Sequence, residues 1–397
     1  IRQITQEVRL TSNFDDDRWN YVVGAFYESD DYDNKDYLTA FIPFLPNPGN
    51  PLNNFSRYEQ RTDAFSLFAH VESQLTDQLR LIAGGRYTDE TVKVTGGTFG
   101  GDGLVRRDGI YQPAAISQVI ADAAAAPGGN ERKDENASYR LGIEYAPLDD
   151  FLIYANLTSG FRSGGYSVNF ASAQDQLVNL EPETIQAYEV GFKSEFAGRR
   201  VRINGSVFRF DVDNGHVDVD VPGTPVPITI NAPQSKTYGA EIDLMWRVFQ
   251  GFDLSAGVGY TDAKIGSTAN QIVGGVQVAD FKGNRRAFSP KETFNGQARY
   301  ETSLTNAADL VISADWNWRS SAFLELNNQP SNLQDAYWVL NGRASVQFGN
   351  GVELSIWGKN LTNTDYIVYL NDLPAFGWLL NGYAAPRTYG GSVKVKF

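Results

Sequence analysis

Asp211, Asp213, Asp218 and Asp220 crowd around Asn214-Gly215-His216, the arrangement in these 397 residues that comes nearest to a metal-binding loop. Carboxylate oxygens are the ligands calcium takes. Their spacing misses the EF-hand pattern, and the alternation around them reads better as two strand ends flanking an Asn-Gly turn, with no metal. Other chemistry is scarcer. The chain has no Cys and two His. That removes thiolate zinc sites, cysteine nucleophiles and disulfide scaffolds, and leaves little for a histidine-dependent triad. No carboxylate pair stands out as a glycosidase acid and base. With 47 acidic against 34 basic residues the net charge is −13, so the basic face that nucleic acid requires is missing. The expectation is a protein that is not an enzyme, with no cofactor and no nucleic-acid partner.

The elements that must position any site are strands. Phe252, Leu254, Ala256, Val258 and Tyr260 alternate with Asp253, Ser255, Gly257, Gly259 and Thr261. Leu310 to Arg319 and Trp338 to Phe348 repeat the pattern. Period 2 over ten or more residues gives one apolar and one polar face. The length suits a tilted membrane strand, which needs about 9–11 residues. No run approaches the ~18 apolar residues of a spanning helix. The Ala-rich stretch Ala114 to Ala126 is expected to form a short helix in the largest loop.

Connections alternate in length. Short turns fall at Asp15–Asp17, Thr76–Gln78, Leu148–Asp150, Ala197–Arg199, Gln250–Gly251, Thr305–Ala308 and Gly349–Gly351. Between them lie long Gly-, Pro-, Asn- and Asp-rich segments, roughly 30–57, 90–130, 160–183, 214–235, 262–292, 320–334 and 361–387. The acidic run Ser29-Asp30-Asp31-Tyr32-Asp33 reads as solvated loop. Beside the short turns the outward position is repeatedly aromatic: Trp19, Tyr145, Phe151, Phe196, Trp246, Phe252, Tyr300, Phe348 and Phe397. On a closed barrel these form one girdle at the periplasmic interface. The inward face carries Glu189, Lys193 and Glu195, which suits a wet or filled lumen rather than a dry core. His70, opposite Phe65, Leu67 and Val71, is expected to face that lumen in a structural role.

The expected fold is therefore all-β, a transmembrane antiparallel β-barrel with short periplasmic turns and long extracellular loops. About fifteen strands are visible. Closed bacterial barrels usually have an even number, and the first strand, Arg2–Asn13, runs into a short turn. The N-terminal part of the barrel is thus expected to lie outside this chain, which begins at Ile1 without a Met or a visible signal peptide.

Six segments, in order along the chain, resemble TonB-dependent outer-membrane receptors. They are Ile4-Thr5-Gln6-Glu7-Val8-Arg9-Leu10; Gly160-Phe161-Arg162-Ser163-Gly164-Gly165; Leu180-Glu181-Pro182-Glu183 through Tyr188-Glu189-Val190-Gly191-Phe192-Lys193; Tyr238-Gly239-Ala240-Glu241-Ile242; Lys359-Asn360-Leu361-Thr362-Asn363-Thr364-Asp365-Tyr366; and the closing strand from Ala385 to Phe397. The resemblance implies a 22-stranded barrel around an N-terminal plug, so residues 1–397 correspond to the C-terminal portion, starting at the eighth strand. The plug, its TonB-binding segment and about seven strands are then absent from this chain.

By the same resemblance, the function is TonB-energised uptake of an extracellular ligand across the outer membrane of a Gram-negative cell. A ferric siderophore is favoured; cobalamin, haem, a glycan or a passive porin-like channel are the alternatives. Ligand would meet the long loops and upper lumen. Arg106, Arg107, Arg162, Arg285, Arg286 and Arg319 are candidates to grip an anionic chelate, since guanidinium matches carboxylates and oxyanions. Loop solvation or pairing with lipopolysaccharide phosphate is the bland alternative. Tyr166, Phe376, Trp378 and Tyr383 are candidates to stack on a chelator ring, against simple loop packing. Implied partners are the TonB complex, outer-membrane lipid and lipopolysaccharide, and the barrel-assembly machinery through the terminal strand.

Overall fold

The computed structural model describes residues 1–12, 18–40, 52–107, 110–126, 128–167, 174, 177–219, 227–268, 272–273, 276–373 and 378–396. Among them, fifteen strands form one antiparallel meander, each hydrogen-bonded to the next in the chain. They are β1 Arg2–Thr11, β2 Trp19–Ala40, β3 Leu52–Thr76, β4 Leu79–Arg107, β5 Glu131–Leu148, β6 Phe151–Arg162, β7 Glu183–Phe196 and β8 Val201–Val219. Then follow β9 Ile228–Phe249, β10 Phe252–Ile265, β11 Glu292–Thr305, β12 Ala308–Arg319, β13 Tyr337–Phe348, β14 Val352–Lys359 and β15 Thr388–Val395. β1 and β15 each leave one edge unpaired among the described residues.

The faces follow the alternation. Tyr188, Val190 and Phe196 stand exposed on one face of β7, while Glu189 accepts from Tyr154 on the other at 2.5 Å. Cross-strand register keeps each face continuous: Val190 lies opposite both Val207 and Ala155, and Trp246 opposite Val201 and Leu254. A one-residue slip would turn every apolar side chain to the wrong face, so the pattern itself fixes register. Aromatic rings lie over glycines of neighbouring strands. A Cβ on Gly191 would come 2.6 Å from the Tyr154 ring, and one on Gly296 2.5 Å from that of Trp316. The short turns use the left-handed region at Gly251 and Gly351, with φ of 85° and 86°, which glycine enters without a Cβ penalty.

Four expectations need correction. The long segments are not all loop: β2, β3 and β4 run for 22, 25 and 29 residues, well past the ~10 that a membrane crossing uses. The acidic run 29–33 lies inside β2, where Asp33 meets Lys35 at 2.9 Å and Ser29 donates to Asp63 on β3 at 2.7 Å. Ala114–Ala126 is no helix. Residues Ile110–Asp122 form a strand paired to β4, followed by one 3₁₀ turn at Ala123–Ala125. An isolated helix that short is marginal, and the extended edge of β4 supplies backbone partners instead. Asn214-Gly215 is no hairpin turn. Asn214, at φ 54°, is the one position missing from the ladder between the pairs Asp213–Gln234 and Gly215–Ala232, and the register of continuous β8 is the same on both sides of it.

At the end away from the short turns, the connections pack into two apolar clusters. One gathers Val219, Ile228, Ile230, Ile265, Phe281 and Leu326. The other gathers Tyr58, Val92, Val94, Tyr166 and Leu177. These satellite cores hold long connections in defined positions, so side chains at their bases can form a site.

Candidate ligand-binding site

Two concavities open on the polar face at this loop end. The first, about 440 Å³, lies where β12 ends and β13 begins. Arg319 and Tyr337 are direct cross-strand partners there. Tyr337 stacks on Tyr366 with ring centroids 4.5 Å apart and 14° between planes. Arg319 Nε donates to Asn317 Oδ1 at 3.2 Å, and the side chain lines the cavity beside Tyr337. Phe288 and Gln334 complete the lining. A guanidinium beside an aromatic pair suits an anionic, ring-bearing ligand.

A turn built on asparagine sets Tyr366 in place. Asn360, buried and at φ 48°, receives the backbone N–H of Thr364 at 2.9 Å on Oδ1. Its Nδ2 donates to the Thr364 carbonyl at 2.9 Å. Leu361 tucks against Gly358 and Gly342. Beyond Tyr366, Ile367–Leu373 and Trp378–Tyr383 form a separate two-stranded hairpin.

The second concavity, about 400 Å³, is lined by Phe26, Glu28, Arg86, Glu90, Arg162 and Ser163. Arg86 sits 5.4 Å from the Phe26 ring and donates to Ser66 Oγ at 2.9 Å. Arg162 donates to Glu183 Oε2 at 3.3 Å. Above it, Arg132 clamps the connection after β6. Its Nε donates to both oxygens of Asp134, at 2.7 and 2.9 Å, and its Nη groups reach Asn179 and Glu181. Asp134 in turn accepts from Gly164 N at 2.9 Å. Burial disfavours the charged guanidinium, but the hydrogen bonds to Glu181 and Asp134 outweigh it and raise the pKa of Arg132; the same bond from Arg132 holds the Glu181 carboxyl below its ordinary range.

The candidates named from sequence are thus dispersed. Arg319 and Arg162 line separate concavities. Arg285 is engaged structurally: its Nη2 donates to the carbonyls of Ser289 and Ser321, at 3.0 and 2.9 Å, beneath Phe323. Arg286 is half-buried, its N–H paired with the Ala263 carbonyl. Tyr166 is buried in the second apolar cluster. Tyr383 is exposed on the hairpin. Arg106, Arg107 and Trp378 lie in strands, but their side chains fall outside the described residues, as do Phe376 and Phe397 entirely. Tyr337, Tyr366, Arg86 and Arg132 were missed. Tyr337 carries no local signal and Tyr366 stands out only as the end of the Lys359–Tyr366 segment; the two are 29 positions apart and only the fold brings them together.

Asp211 pairs with Arg209 and Asp218 accepts from Thr229; Asp220 lies outside the described residues. Among the described residues no group of three or more His, Cys, Asp or Glu could hold a metal. His70 sits beside Glu72 at 3.3 Å.

Comparison with known proteins fixes the context. The family described as TonB dependent receptor-like, beta-barrel, matches residues 2–361. A probable TonB-dependent siderophore receptor, PiuA, of Acinetobacter baumannii is 24% identical over 261 residues, 64% of this chain and 33% of that protein. The catecholate siderophore receptor Fiu of Escherichia coli is 22% identical over 335 residues, 82% of this chain and 41% of its own. This chain therefore spans a third to two fifths of these relatives' length. In structure, it resembles the ferric yersiniabactin uptake receptor FyuA from Yersinia pestis, with a TM-score of 0.78 at 17% identity, over 100% of this chain and 54% of that one. The siderophore receptor PiuA from Acinetobacter baumannii superposes with a TM-score of 0.71, also at 17% identity. The meander is barrel wall, its apolar face toward lipid and its polar face toward the lumen, and the chain belongs to the TonB-dependent receptor family of the Gram-negative outer membrane.

Proposed function

We propose that this chain is the larger part of the barrel wall of an uptake receptor for a ferric siderophore. The observation that carries it is Arg319 beside the Tyr337–Tyr366 stack, on the lumen face at the loop end. Catecholate and related chelates combine negative charge with aromatic rings, the two features this site can recognise. The relatives named for siderophores lend support. No bond is made or broken by the protein; it binds, and a TonB complex supplies the energy for import.

Further parts of the reading follow from the sheet. Open edges in hydrocarbon leave backbone groups unsatisfied at several kcal/mol each, so additional strands of the whole protein would pair with β1 and β15, and a plug would fill the lumen. Trp19, Tyr145, Phe196, Trp246, Tyr300 and Phe348 are exposed beside the short turns and would form the periplasmic girdle with Phe151 and Phe252. Phe294, Trp316, Trp318 and Trp338 cluster at the other end of the apolar face. Six residues of β11 separate Phe294 from Tyr300, roughly 20 Å at ~3.3 Å per residue, close to the ~25 Å apolar band of such barrels. Lipopolysaccharide would surround the upper belt, and the alternating terminal strand would be read by the assembly machinery.

The test is uptake of radio-iron presented as a ferric catecholate, in an iron-starved strain carrying the whole gene. TonB-dependent accumulation that falls with Arg319→Ala supports the reading. Absence of uptake for catecholate, hydroxamate and mixed chelates alike would sink it.

A further inference from the structure

The second concavity at the loop end carries charges of both signs that the wall itself does not answer. Its floor holds Ser66 and Thr88, both buried, their hydroxyls 3.0 Å apart. Arg86 lies over that floor, donating from Nη2 to Ser66 at 2.9 Å and from Nε to Thr88 at 3.3 Å. Both acceptors are neutral, and among the described residues no carboxylate pairs with Arg86. Two residues further along the strands, roughly 7 Å, stand Glu28 and Glu90. Each is a direct cross-strand partner of Ala64, whose small side chain leaves space between them. Glu28 accepts from Gln3 at 2.6 Å and Glu90 from Ser163. These donors are neutral too, and among the described residues neither glutamate pairs with a cation. The charges beside them are satisfied: Arg162 pairs with Glu183, and Asp134, the neighbour of Glu90 on β5, pairs with Arg132.

We propose that this concavity is a second binding site, for a group that carries an ammonium and a carboxylate together, the head of an α-amino acid. Arg86 would take the carboxylate, for which guanidinium is the matching fork, and Glu28 and Glu90 the ammonium. A simple anion would be held by Arg86 but repelled by the two glutamates, and a simple cation the reverse; a zwitterion answers all three. The step of roughly 7 Å between the two levels leaves room for one such head with a charge-assisted bond at each end. Phe26 and Phe161 give the lining an apolar side for the rest of the molecule. The volume, about 400 Å³, falls within the ~300–1,000 Å³ of small-molecule sites. Six strand spacings lie between β6 and the β12 of Arg319, about 29 Å along the wall at ~4.8 Å each. The two cavities are therefore separate sites, and the zwitterion site does not depend on the siderophore reading.

The test titrates the whole receptor, purified in detergent, with two probes. One is free Nε-acetyl-lysine. The other is a ferric tris-catecholate tethered through a lysine side chain that keeps its α-ammonium and α-carboxylate. Controls are the Nα-acetylated and the α-amidated form of each. Each control should bind about tenfold more weakly or worse, the loss of one charge-assisted bond. Glu28→Gln with Glu90→Gln should erase the penalty for acetylation and keep that for amidation; Arg86→Gln should do the reverse. Binding of the free amino acid assigns a free zwitterion as the source, and binding of the tethered chelate alone assigns a pendant group. Controls that bind as tightly as their parents, variants that leave both penalties in place, or no binding of either parent would each overturn the inference. An untethered ferric catecholate, run alongside, keeps the two readings apart. Its failure to bind would count against the siderophore reading, while the free amino acid still decides this one.

Discussion

Arg132 grips Glu181 in a fork, Nη1 to Oε1 at 3.2 Å and Nη2 to Oε2 at 2.8 Å, while its Nε bonds Asp134. One guanidinium thereby ties β5 to the connection that follows β6, across 49 residues of chain. Asp134 is buried and relies on this cation. Arg132→Ala should leave a buried unpaired carboxylate, a local cost of about 3–5 kcal/mol. Hydrogen-exchange protection of residues 163–167 and 177–181 should collapse, while the heat-modifiable band of the folded barrel on unheated gels persists. Arg132→Lys keeps the charge but not the fork and should fall between.

The same pair has a pH signature. The Glu181 carboxyl is held below its ordinary range by Arg132, so its contribution is present above the unfolded glutamate value, about 4.3, and fades as pH falls through the lower folded value. Protection of the 177–181 segment, corrected for intrinsic exchange rates, should be flat from about pH 7 to 5 and weaken below about 4. Glu181→Gln should lower the plateau and remove the part of the decline that Glu181 causes. An unchanged decline in that variant would assign the acid sensitivity to another group.

Gly191 is where the sheet tolerates no side chain. A Cβ there would meet the Tyr154 ring at 2.6 Å and the Gly205 carbonyl at 2.8 Å. The ring could swing away only by giving up its bond to Glu189, and the carbonyl belongs to the β7–β8 ladder. Gly191→Val is expected to destabilise the barrel by about 1–3 kcal/mol or more, read as a lower urea midpoint in detergent. Gly165→Ala, with open space around the new carbon, should be near neutral.

The binding site makes a graded prediction. Tyr337→Ala removes one ring of the stack and should weaken ferric-catecholate binding about tenfold, since an aromatic pair is worth ~0.5–1.5 kcal/mol beyond its area. Tyr337→Phe should bind almost as wild type. Arg319→Ala should cost more, about 1.5–3 kcal/mol for a charge-assisted bond. Intrinsic fluorescence quenching titrations measure all three. Equal affinity across the series would move the ligand away from this cavity.

Along β9, depth in the bilayer separates two outward residues. Ile242 lies four residues above Trp246, near the middle of the apolar band. Ile242→Arg should cost about 2–4 kcal/mol and Trp246→Arg about 0–1, by the depth dependence of charge on a barrel's lipid face. Equal costs in vesicles would place Trp246 away from an interface.

The amino-acid order by itself determined what is local. Period-2 alternation names the strands and their faces, because side chains point alternately whatever the neighbouring strand does. Turn residues sort the short rim from the long one. The motifs shared with the family prove to be junctions: Asn360 folds its own turn, and Glu181 and Glu183 anchor the start of β7 through Arg132, Arg162 and His216. Alternation cannot say where a strand stops once a partner is available, so the extensions of β2, β3 and β4 and the strand at 110–122 escaped it. Only the tertiary structure brought Arg319, Tyr337 and Tyr366 together, buried Tyr166 and turned Arg285 onto backbone carbonyls. Those outcomes depend on register between distant strands and on how the connections pack over them, and both are set by contacts that no local pattern encodes.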